Sequence, residues 1–279
     1  MHFTHRDSLK FLAYSSFFVC VLFGYNMVSS PYFETTFDSA SIDNKEIPAS
    51  TAVTEIVPEN KSQSKETTIE EEVKNPIAIA FNPLHVQIDS TILDRINDIV
   101  ASSFFKPKVI PLNLLLDTER KEPRGQVLGN KLILAMSVSD ESEQSKVLVH
   151  ELGHIVDIFY LKKGIFSDPS DIFYAISWES FQTKKKGQRI TDFVSGYALS
   201  NKYEDFAESF AFYIFHNEDF ARLAKDNPVL RGKYDFFHSH IFENDEFVGT
   251  SFEKEPLKRY NWDVTKIGVD TKKYLYYIR

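Results

Sequence analysis

The sequence predicts an α+β fold for residues 76–279: a small mixed sheet, then one long helix, then a mostly helical carboxyl-terminal half. Short aliphatic runs separated by Pro and Gly occupy residues 77–136, which is typical of strands. Beyond residue 140, apolar residues recur three and four positions apart, as they do on the buried face of a helix. A stretch of about 200 residues is long enough for one well-buried domain, so we expect a single core.

The first 30 residues predict an export signal. Arg6 and Lys10 precede Phe11–Val28, an apolar and aromatic run without charge. Its length lies between that of a signal-peptide core and that of a membrane-spanning helix. We therefore expect either an uncleaved membrane anchor with its positive end in the cytoplasm or a signal peptide removed on secretion. Both outcomes place the rest of the chain outside the cytoplasm.

Residues 31–75 predict a disordered acidic linker. Ser, Thr, Glu and Pro dominate, and ten acids against four lysines give a net charge of −6 out of −8 for the whole chain. The globular part is therefore nearly neutral, and we expect no nucleic-acid partner. Cys20 is the single cysteine, so the exported part has neither a disulfide nor cysteine ligands for a metal.

Residues 76–136 are expected to form the sheet and its first helix. In chain order we predict a strand Ile77–Ile88 interrupted at Asn82-Pro83, a helix from about Ser90 to Phe104, a strand Val109–Leu116, a loop Asp117–Gly125 and a hairpin Gln126–Met136. The hairpin turns at Gly129-Asn130, a pair that tolerates positive φ. Its second strand, Leu132–Met136, is predicted to lie at the sheet edge, where an extended peptide can add antiparallel.

The remaining chain is expected to be helical. We predict a long helix capped by Ser139 or Asp140 and running to Lys163, a helix Ile172–Gln182 with Trp178 and Phe181 in the core, and a helix Tyr203–Tyr213. The tail from Gly249 onward is rich in Lys and Tyr, and we expect it to be a loosely packed extension without an assigned role.

The long helix contains the pattern H-E-x-x-H, formed by His150, Glu151 and His154. Residues four apart lie on one face of a helix, about 6 Å apart along its axis, so two imidazoles can converge on one zinc ion. Glu151 lies one position further round and can take a proton from a water at the metal. The alternative is a pair of histidines satisfied by hydrogen bonds in the core, which makes a third ligand the deciding feature.

The helix Tyr203–Tyr213 supplies two candidates for that ligand. Glu204 and Glu208 share a face with two alanines, and carboxylates on such a face need a cation or donors. We expect Glu204 to bind the metal and Glu208 to accept the second N–H of a ligand histidine, which fixes its tautomer. Two alternatives remain open: Glu208 as the metal ligand, and an exposed acidic stripe without metal.

Other zinc patterns fit less well. A third histidine six residues after the second would require glycine at position 157 and histidine at position 160, where the chain has Asp157 and Tyr160. Asp157 is itself an alternative ligand. His216, His238 and His240 have no matching spacing, so we expect ordinary structural roles for them.

The segments His150-Glu-Leu-Gly-His154 and Glu204-Asp-Phe-Ala-Glu208 resemble the gluzincin zinc peptidases. More narrowly, they are similar to the group formed by the catalytic domain of anthrax lethal factor and the secreted Pro-Pro endopeptidases. The resemblance covers about Val147 to Phe236 and implies a zincin-like fold. In that group a tyrosine seven residues before the ligand glutamate leans over the metal, and Tyr197 stands at that place. A longer insertion separates the two metal-binding segments here, so the resemblance implies no substrate preference.

These features predict a zinc-dependent peptidase, of endopeptidase type, that acts on a peptide or protein substrate outside the cytoplasm. We expect one Zn²⁺ per chain, Glu151 as the base, and Tyr197 as a hydrogen-bond donor to the reacting carbonyl. Two other functions remain open: a zinc-stabilised binding module of the cell surface, and a zinc hydrolase of a cell-wall amide. The intact Glu151 argues against the binding module, because a structural metal site needs no base.

Overall fold

A computed structural model of the protein describes residues 77–84, 86–109, 111–137, 140–162, 168–254, 257 and 260–279. The predicted export segment, residues 1–30, and the predicted acidic linker, residues 31–75, lie outside the described residues. Within the described part of the chain, no helix combines the length and apolarity that crossing a membrane requires.

Four short strands form one mixed sheet. They are β1 (Ile77–Asn82), β2 (Leu112–Asp117), β3 (Gly125–Leu128) and β4 (Lys131–Ala135). Their order across the sheet is β1-β2-β4-β3, in which β2 pairs parallel with both β1 and β4, and β3 pairs antiparallel with β4. The predicted small mixed sheet is confirmed. The first strand is shorter than predicted and ends at Asn82, whereas the loop between β2 and β3 is confined to residues 118–124.

The hairpin strand that we expected at the sheet edge is an internal strand. β4 pairs with β2 on one side and with β3 on the other, so the edge strand at this end of the sheet is β3. After Lys131, every residue of β4 is buried, whereas β3 is only half-buried. A strand with both faces covered has a continuous apolar run, and Leu132–Ala135 is such a run.

The long helix, α3 (Glu141–Ile155), follows the sheet directly. The Asp140 side chain accepts the Ser142 N–H and caps it, as predicted for Asp140. The helix continues as a wider π-helical turn, Val156–Tyr160, and therefore ends three residues before the predicted Lys163. The shorter helices before it are α1 (Ser90–Val100) and α2 (Lys106–Val109). The predicted helix Ser90–Phe104 thus ends at Val100.

The carboxyl-terminal half is mostly helical, which confirms the predicted α+β class. Its helices are α4 (Ser170–Ser177), α5 (Lys202–Phe215), α6 (Asn217–Asp226), α7 (Pro228–His240) and α8 (Thr271–Ile278). Short 3₁₀ turns cover Ile190–Asp192, Tyr197–Leu199 and Val264–Lys266. Helix α4 is shorter than the predicted Ile172–Gln182 because Trp178 is extended and pairs with Lys184.

Helices α3 and α5 pack closely because small residues meet at their contact. A Cβ atom added to Gly153 would lie 3.2 Å from the Ala207 Cα and 3.1 Å from the Phe210 Cδ1. This contact brings the face of α5 with its glutamates against the face of α3 with its histidines. Phe206 and Phe210 lie in an aromatic core with Phe237 of α7, and Phe210 also lines the contact with Gly153.

The tail beyond Gly249 is firmly packed, and the expectation of a loose extension was wrong. Phe252, Val264 and Tyr274 are fully buried. The Tyr274 ring of α8 packs against Phe215, with ring centroids 4.8 Å apart. Arg279 forms an ion pair with Asp98 of α1. The aromatic residues that looked like an exposed extension supply the apolar surface that holds this segment in place.

Candidate metal centre

Two helices contribute the three side chains that meet at the candidate centre. Helix α3 presents His150 and His154 one turn apart, with ring centroids 5.1 Å apart and ring planes nearly perpendicular. Helix α5 presents Glu204 from its first turn, where the Asn201 side chain accepts the N–H groups of Tyr203 and Glu204. The close approach at Gly153 therefore decides that these side chains face each other.

The distances among the three side chains suit a tetrahedral metal. The His150 Nε2 lies 3.2 Å from the Glu204 Oε2, and the His154 Nε2 lies 3.5 Å from the same oxygen. One donor atom from each residue falls in a group whose members are all within 4.8 Å of one another. Zinc bonds of 2.0–2.1 Å in a tetrahedron would separate neighbouring donors by about 3.3 Å.

The protonation of these groups also favours a cation between them. The His150 Nδ1 lies 2.9 Å from the Glu208 Oε1, and a proton placed on Nδ1 would lie near this carboxylate and leave a lone pair on Nε2. That lone pair faces the Glu204 Oε2, a buried oxygen without a hydrogen-bond partner among the described residues. Two buried acceptors at such a distance repel each other unless a proton or a metal ion lies between them. The donor set therefore fits a divalent metal.

The pKa values of His150 and Glu204 agree with a cation between these two residues. Burial lowers the pKa of His150, but the carboxylates of Glu204 and Glu208 outweigh burial and hold this pKa well above its ordinary value. Burial raises the pKa of Glu204, but the His154 and His150 rings overcome it and hold this pKa far below its ordinary value. The site thus attracts positive charge, and a metal would compete with protons for it.

Glu208 lies behind His150, away from the three grouped atoms. Its Oε1 is the atom near the His150 Nδ1, and its Oε2 accepts the Ser195 hydroxyl at 2.5 Å and the Val264 N–H at 2.9 Å. The side chain is fully buried. Of the two candidate glutamates, Glu204 is the one that the fold brings to both histidine Nε2 atoms.

Glu151 is buried beside the first residue of β3. A Cβ atom added to Gly125 would lie 2.5 Å from both the Cγ and the Oε1 of Glu151, so only glycine leaves room for this carboxylate. Burial raises the pKa of Glu151, and the charge of Glu204 adds to this effect, while His154 and His150 oppose it. A carboxylate with a raised pKa is better suited to accept and return a proton near neutral pH.

Tyr197 lies at the start of a 3₁₀ turn, with its ring centroid 6.1 Å from that of His150. Its N–H donates to the Trp262 carbonyl at 2.6 Å, which ties the turn to the carboxyl-terminal segment. Burial raises the pKa of Tyr197, and the charges of Glu204 and Glu151 raise it further. The hydroxyl therefore stays protonated and remains able to donate a hydrogen bond.

The chain has no significant match among models of known protein families, curated proteins or solved structures. The resemblance to the gluzincins therefore rests on the quoted motif residues and stays a prediction. The roles of the individual side chains likewise rest on geometry and chemistry.

The other residues considered from the sequence lie elsewhere. Asp157 is buried and accepts a hydrogen bond from the Tyr174 hydroxyl, outside the group of three donor atoms. Burial raises the pKa of Asp157 to about 6. His216 is buried 3.0 Å from Glu253. The other two histidines belong to α7: His240 stacks on Phe236, and His238 lies 3.7 Å from Asp245.

Four residues around the site escaped the sequence analysis. Gly125 makes room for Glu151, Ser195 and Val264 donate to Glu208, and Arg124 links the strand before the site to the tail. Ser195 precedes Tyr197 by two residues, so a search for hydroxyls near the predicted site residues would have found it. A main-chain donor such as the Val264 N–H leaves no trace in the sequence, because every residue except proline has one.

Proposed function

We propose that the protein is a zinc-dependent endopeptidase that holds one Zn²⁺ through His150, His154 and Glu204. The observation that carries the proposal is the meeting of two Nε2 atoms and a buried carboxylate oxygen at 3.2 and 3.5 Å, with Glu151 next to them on the same helix. Two imidazoles and one carboxylate suit zinc, and three protein ligands are typical of catalytic rather than structural sites.

Bound zinc would supply a Lewis acid that polarises the substrate carbonyl and lowers the pKa of water. The chain's own residues would supply the proton transfers. Glu151 accepts the proton of the attacking water and passes it to the leaving amine. The Tyr197 hydroxyl donates a hydrogen bond to the carbonyl oxygen, on which negative charge develops.

In this proposal, a peptide substrate binds along the outer edge of β3. This strand pairs with β4 on one side, and its first residue, Gly125, lies against Glu151. An extended peptide that adds to the outer edge of β3 would therefore run past the base and the metal. A strand edge recognises the backbone of an extended peptide, which favours a peptide over other amides. The proposed site of action is outside the cytoplasm, on the strength of the amino-terminal residues 1–30.

The test compares Glu151→Gln with the wild-type protein in a fluorogenic peptide-library assay, with and without a chelator. We expect Glu151→Gln to retain zinc and to lower kcat by about 10²- to 10⁴-fold, because it removes only the base. Glu141→Gln is the matched control, since Glu141 is an exposed glutamate of the same helix. Zinc content is measured by elemental mass spectrometry.

Three results would contradict the proposal. The first is a wild-type protein without zinc, and the second is peptide cleavage that persists in zinc-loaded Glu151→Gln. The third is a zinc-loaded wild-type protein that cleaves none of the peptides, the behaviour of a binding module or of a hydrolase for other amides. A mass-spectrometric survey of cleavage sites in whole-protein substrates then defines the sequence preference of an active enzyme.

A further inference from the structure

Three groups from three separate parts of the chain surround the Glu208 carboxylate. They are the His150 ring of α3, the Ser195 hydroxyl before the Tyr197 turn, and the main-chain N–H of Val264 in the tail. A fully buried carboxylate stays charged only if its oxygens receive hydrogen bonds or face positive charge. The tail therefore contacts the carboxylate that lies against the predicted metal ligand His150.

The Val264 N–H can donate to Glu208 because Val264 is the first residue of a 3₁₀ turn. Asp263 caps this turn, and its Oδ1 accepts the Thr265 N–H at 2.7 Å and the Thr265 hydroxyl at 2.6 Å. The first N–H of a helical turn has no partner within the turn. Here it points to the Glu208 Oε2 instead.

Arg124 holds this turn against the rest of the site. Its Nη2 donates to the Asp263 Oδ2 at 2.5 Å, and its Nη1 donates to the Thr265 Oγ1 at 2.8 Å and to the Glu143 Oε1 at 2.6 Å. Glu143 lies in the first turn of α3. Because Arg124 directly precedes Gly125, one guanidinium joins the start of β3, the histidine helix and the tail.

The same segment supports Tyr197. The Tyr197 N–H donates to the Trp262 carbonyl, and the Gly196 N–H donates to the Asn261 carbonyl at 3.0 Å. The Trp262 ring lies so close to Gly196 that an added Cβ atom would be 2.3 Å from it. Two groups of the proposed site, Glu208 and Tyr197, are thus held by five consecutive residues of the tail.

We infer that the segment Asn261–Thr265 is a positioning element of the metal centre. The Val264 N–H, kept in place by the pairing of Arg124 with Asp263, orients Glu208, and Glu208 holds the proton of His150 on Nδ1. The Nε2 lone pair of His150 is then directed to the metal. This inference rests on the proposed metal site and adds to it residues that touch neither metal nor substrate.

Val264→Pro is the sharpest test because it removes this N–H, while Val264→Ala controls for the change in the buried side chain. Asp263 is extended, with φ −143° and ψ 125°, a conformation allowed before proline, and proline is well tolerated at the first position of a helical turn. We expect the zinc dissociation constant to rise by up to about tenfold, the lower end of the effect of losing a partner of a metal-binding histidine, because Glu208 itself remains. The constant is measured by competition with a chromophoric chelator.

Val264→Ala is the matched variant, since it keeps the N–H and truncates the same buried side chain. We expect it to lower the melting temperature, while its zinc dissociation constant stays closer to the wild-type value than that of Val264→Pro. The visible absorption spectrum of the Co²⁺-substituted proteins gives a second readout. A disturbed His150 changes the spectrum of Val264→Pro, whereas a loss of packing alone does not.

A second pair of variants tests the pairing of Arg124 with Asp263. Asp263→Asn keeps the oxygen that caps the turn but removes the charge that attracts Arg124, so we expect weaker zinc binding with a smaller change than in Val264→Pro. Arg279→Ala is the control, because the Arg279–Asp98 ion pair also ties the tail to the body of the domain. We expect Arg279→Ala to bind zinc as the wild-type protein does.

The outcomes separate this inference from the proposed function. A wild-type protein that binds zinc, together with Val264→Pro of unchanged zinc affinity and unchanged Co²⁺ spectrum, would overturn the inference alone. A wild-type protein that binds no zinc would overturn both. If Val264→Pro does not fold, Asp263→Asn decides: zinc affinity and a Co²⁺ spectrum equal to those of Arg279→Ala would refute the positioning role.

Discussion

Single atoms distinguish the roles of the two glutamates on α5. Glu204 Oε2 lies near two Nε2 atoms, whereas Glu208 Oε1 lies near the Nδ1 of His150 and Glu208 Oε2 accepts two hydrogen bonds. The spacing of four residues gives both side chains the same helix face but not the same neighbours. This difference can be tested by comparing the zinc affinity of variants of the two glutamates.

We expect Glu204→Gln to weaken zinc binding more than Glu208→Gln does. The first variant replaces a charged ligand by a neutral amide, while the second removes only a partner of His150, a change that typically costs 10- to 100-fold in affinity. Zinc dissociation constants from chelator competition provide the ranking. The reverse order would assign the metal to Glu208.

The raised pKa of Asp157 predicts that the stability of the protein depends on pH. Burial raises the pKa of Asp157 from 3.8 to about 6, so the folded protein holds this proton more tightly than the unfolded chain does. The stabilisation from the protonated form is present at low pH and is lost as the pH rises from about 4 to about 6. Well above pH 6, the charged Asp157 should destabilise the fold by on the order of 2–3 kcal/mol.

Asp157→Asn should remove this dependence. In excess chelator, we expect the variant to gain stability relative to the wild-type protein between pH 4 and pH 7.5, since an amide cannot ionise. Urea unfolding at several pH values measures the difference in free energy. Asp171→Asn, at an exposed aspartate of α4, is the control. Equal pH profiles for Asp157→Asn and the wild-type protein would show that Asp157 is not responsible.

At the scale of elements, the approach of α3 to α5 sets the geometry of the centre. Gly153 is one residue from His154, and Ala207 is one residue from Glu208. A Cβ atom at position 153 would lie only 3.2 Å from the backbone of α5, which is closer than an ordinary contact. The separation of the two helices therefore sets the distances between the candidate ligands.

Gly153→Ala should separate the two helices. We expect it to destabilise the protein by about 1–2 kcal/mol through overpacking and to weaken zinc binding. Gly232→Ala in α7 is the matched control, because the nearest atom to its added Cβ would be 3.5 Å away, an ordinary contact. There the higher helix propensity of alanine should stabilise by up to about 1 kcal/mol. Urea unfolding and zinc titration of both variants test this, and equal stabilisation would contradict it.

At the scale of the whole domain, the candidate centre joins parts of the chain that are distant in sequence. The histidines belong to α3, the glutamates to α5, and the donors to Glu208 include the tail. A second link, the buried ion pair between Lys233 and Asp205, fixes the first turn of α5 against α7. Because these parts meet only in the folded state, a ligand at the centre favours folding.

Zinc should therefore raise the melting temperature of the domain by several degrees. A ligand at 1,000 times its dissociation constant stabilises the folded state by about 4 kcal/mol. Thermal denaturation with added zinc or chelator measures the shift. Glu204→Gln should lose most of it, and Mg²⁺ should not reproduce it, since Mg²⁺ prefers oxygen ligands. An equal shift in Glu204→Gln would place the zinc elsewhere.

The sequence by itself determined the features that depend on local periodicity. A spacing of four on a helix puts His150 above His154 and Glu204 above Glu208, and the strand patterns before residue 136 followed by helical patterns after residue 140 predict the α+β class. These features follow from backbone geometry, which is the same wherever a helix or strand occurs. The motif therefore pointed to a metal centre before any long-range contact was known.

Only the tertiary structure decided which atoms meet. The side of His150 that each glutamate faces depends on how α3 crosses α5, and the place of β4 inside the sheet depends on its pairing with β2. The tail was misjudged because its aromatic side chains pack against distant helices, and its donor to Glu208 is a main-chain N–H that the sequence does not distinguish. Contacts of this kind arise from packing between distant segments, and a pattern of neighbouring residues does not encode them.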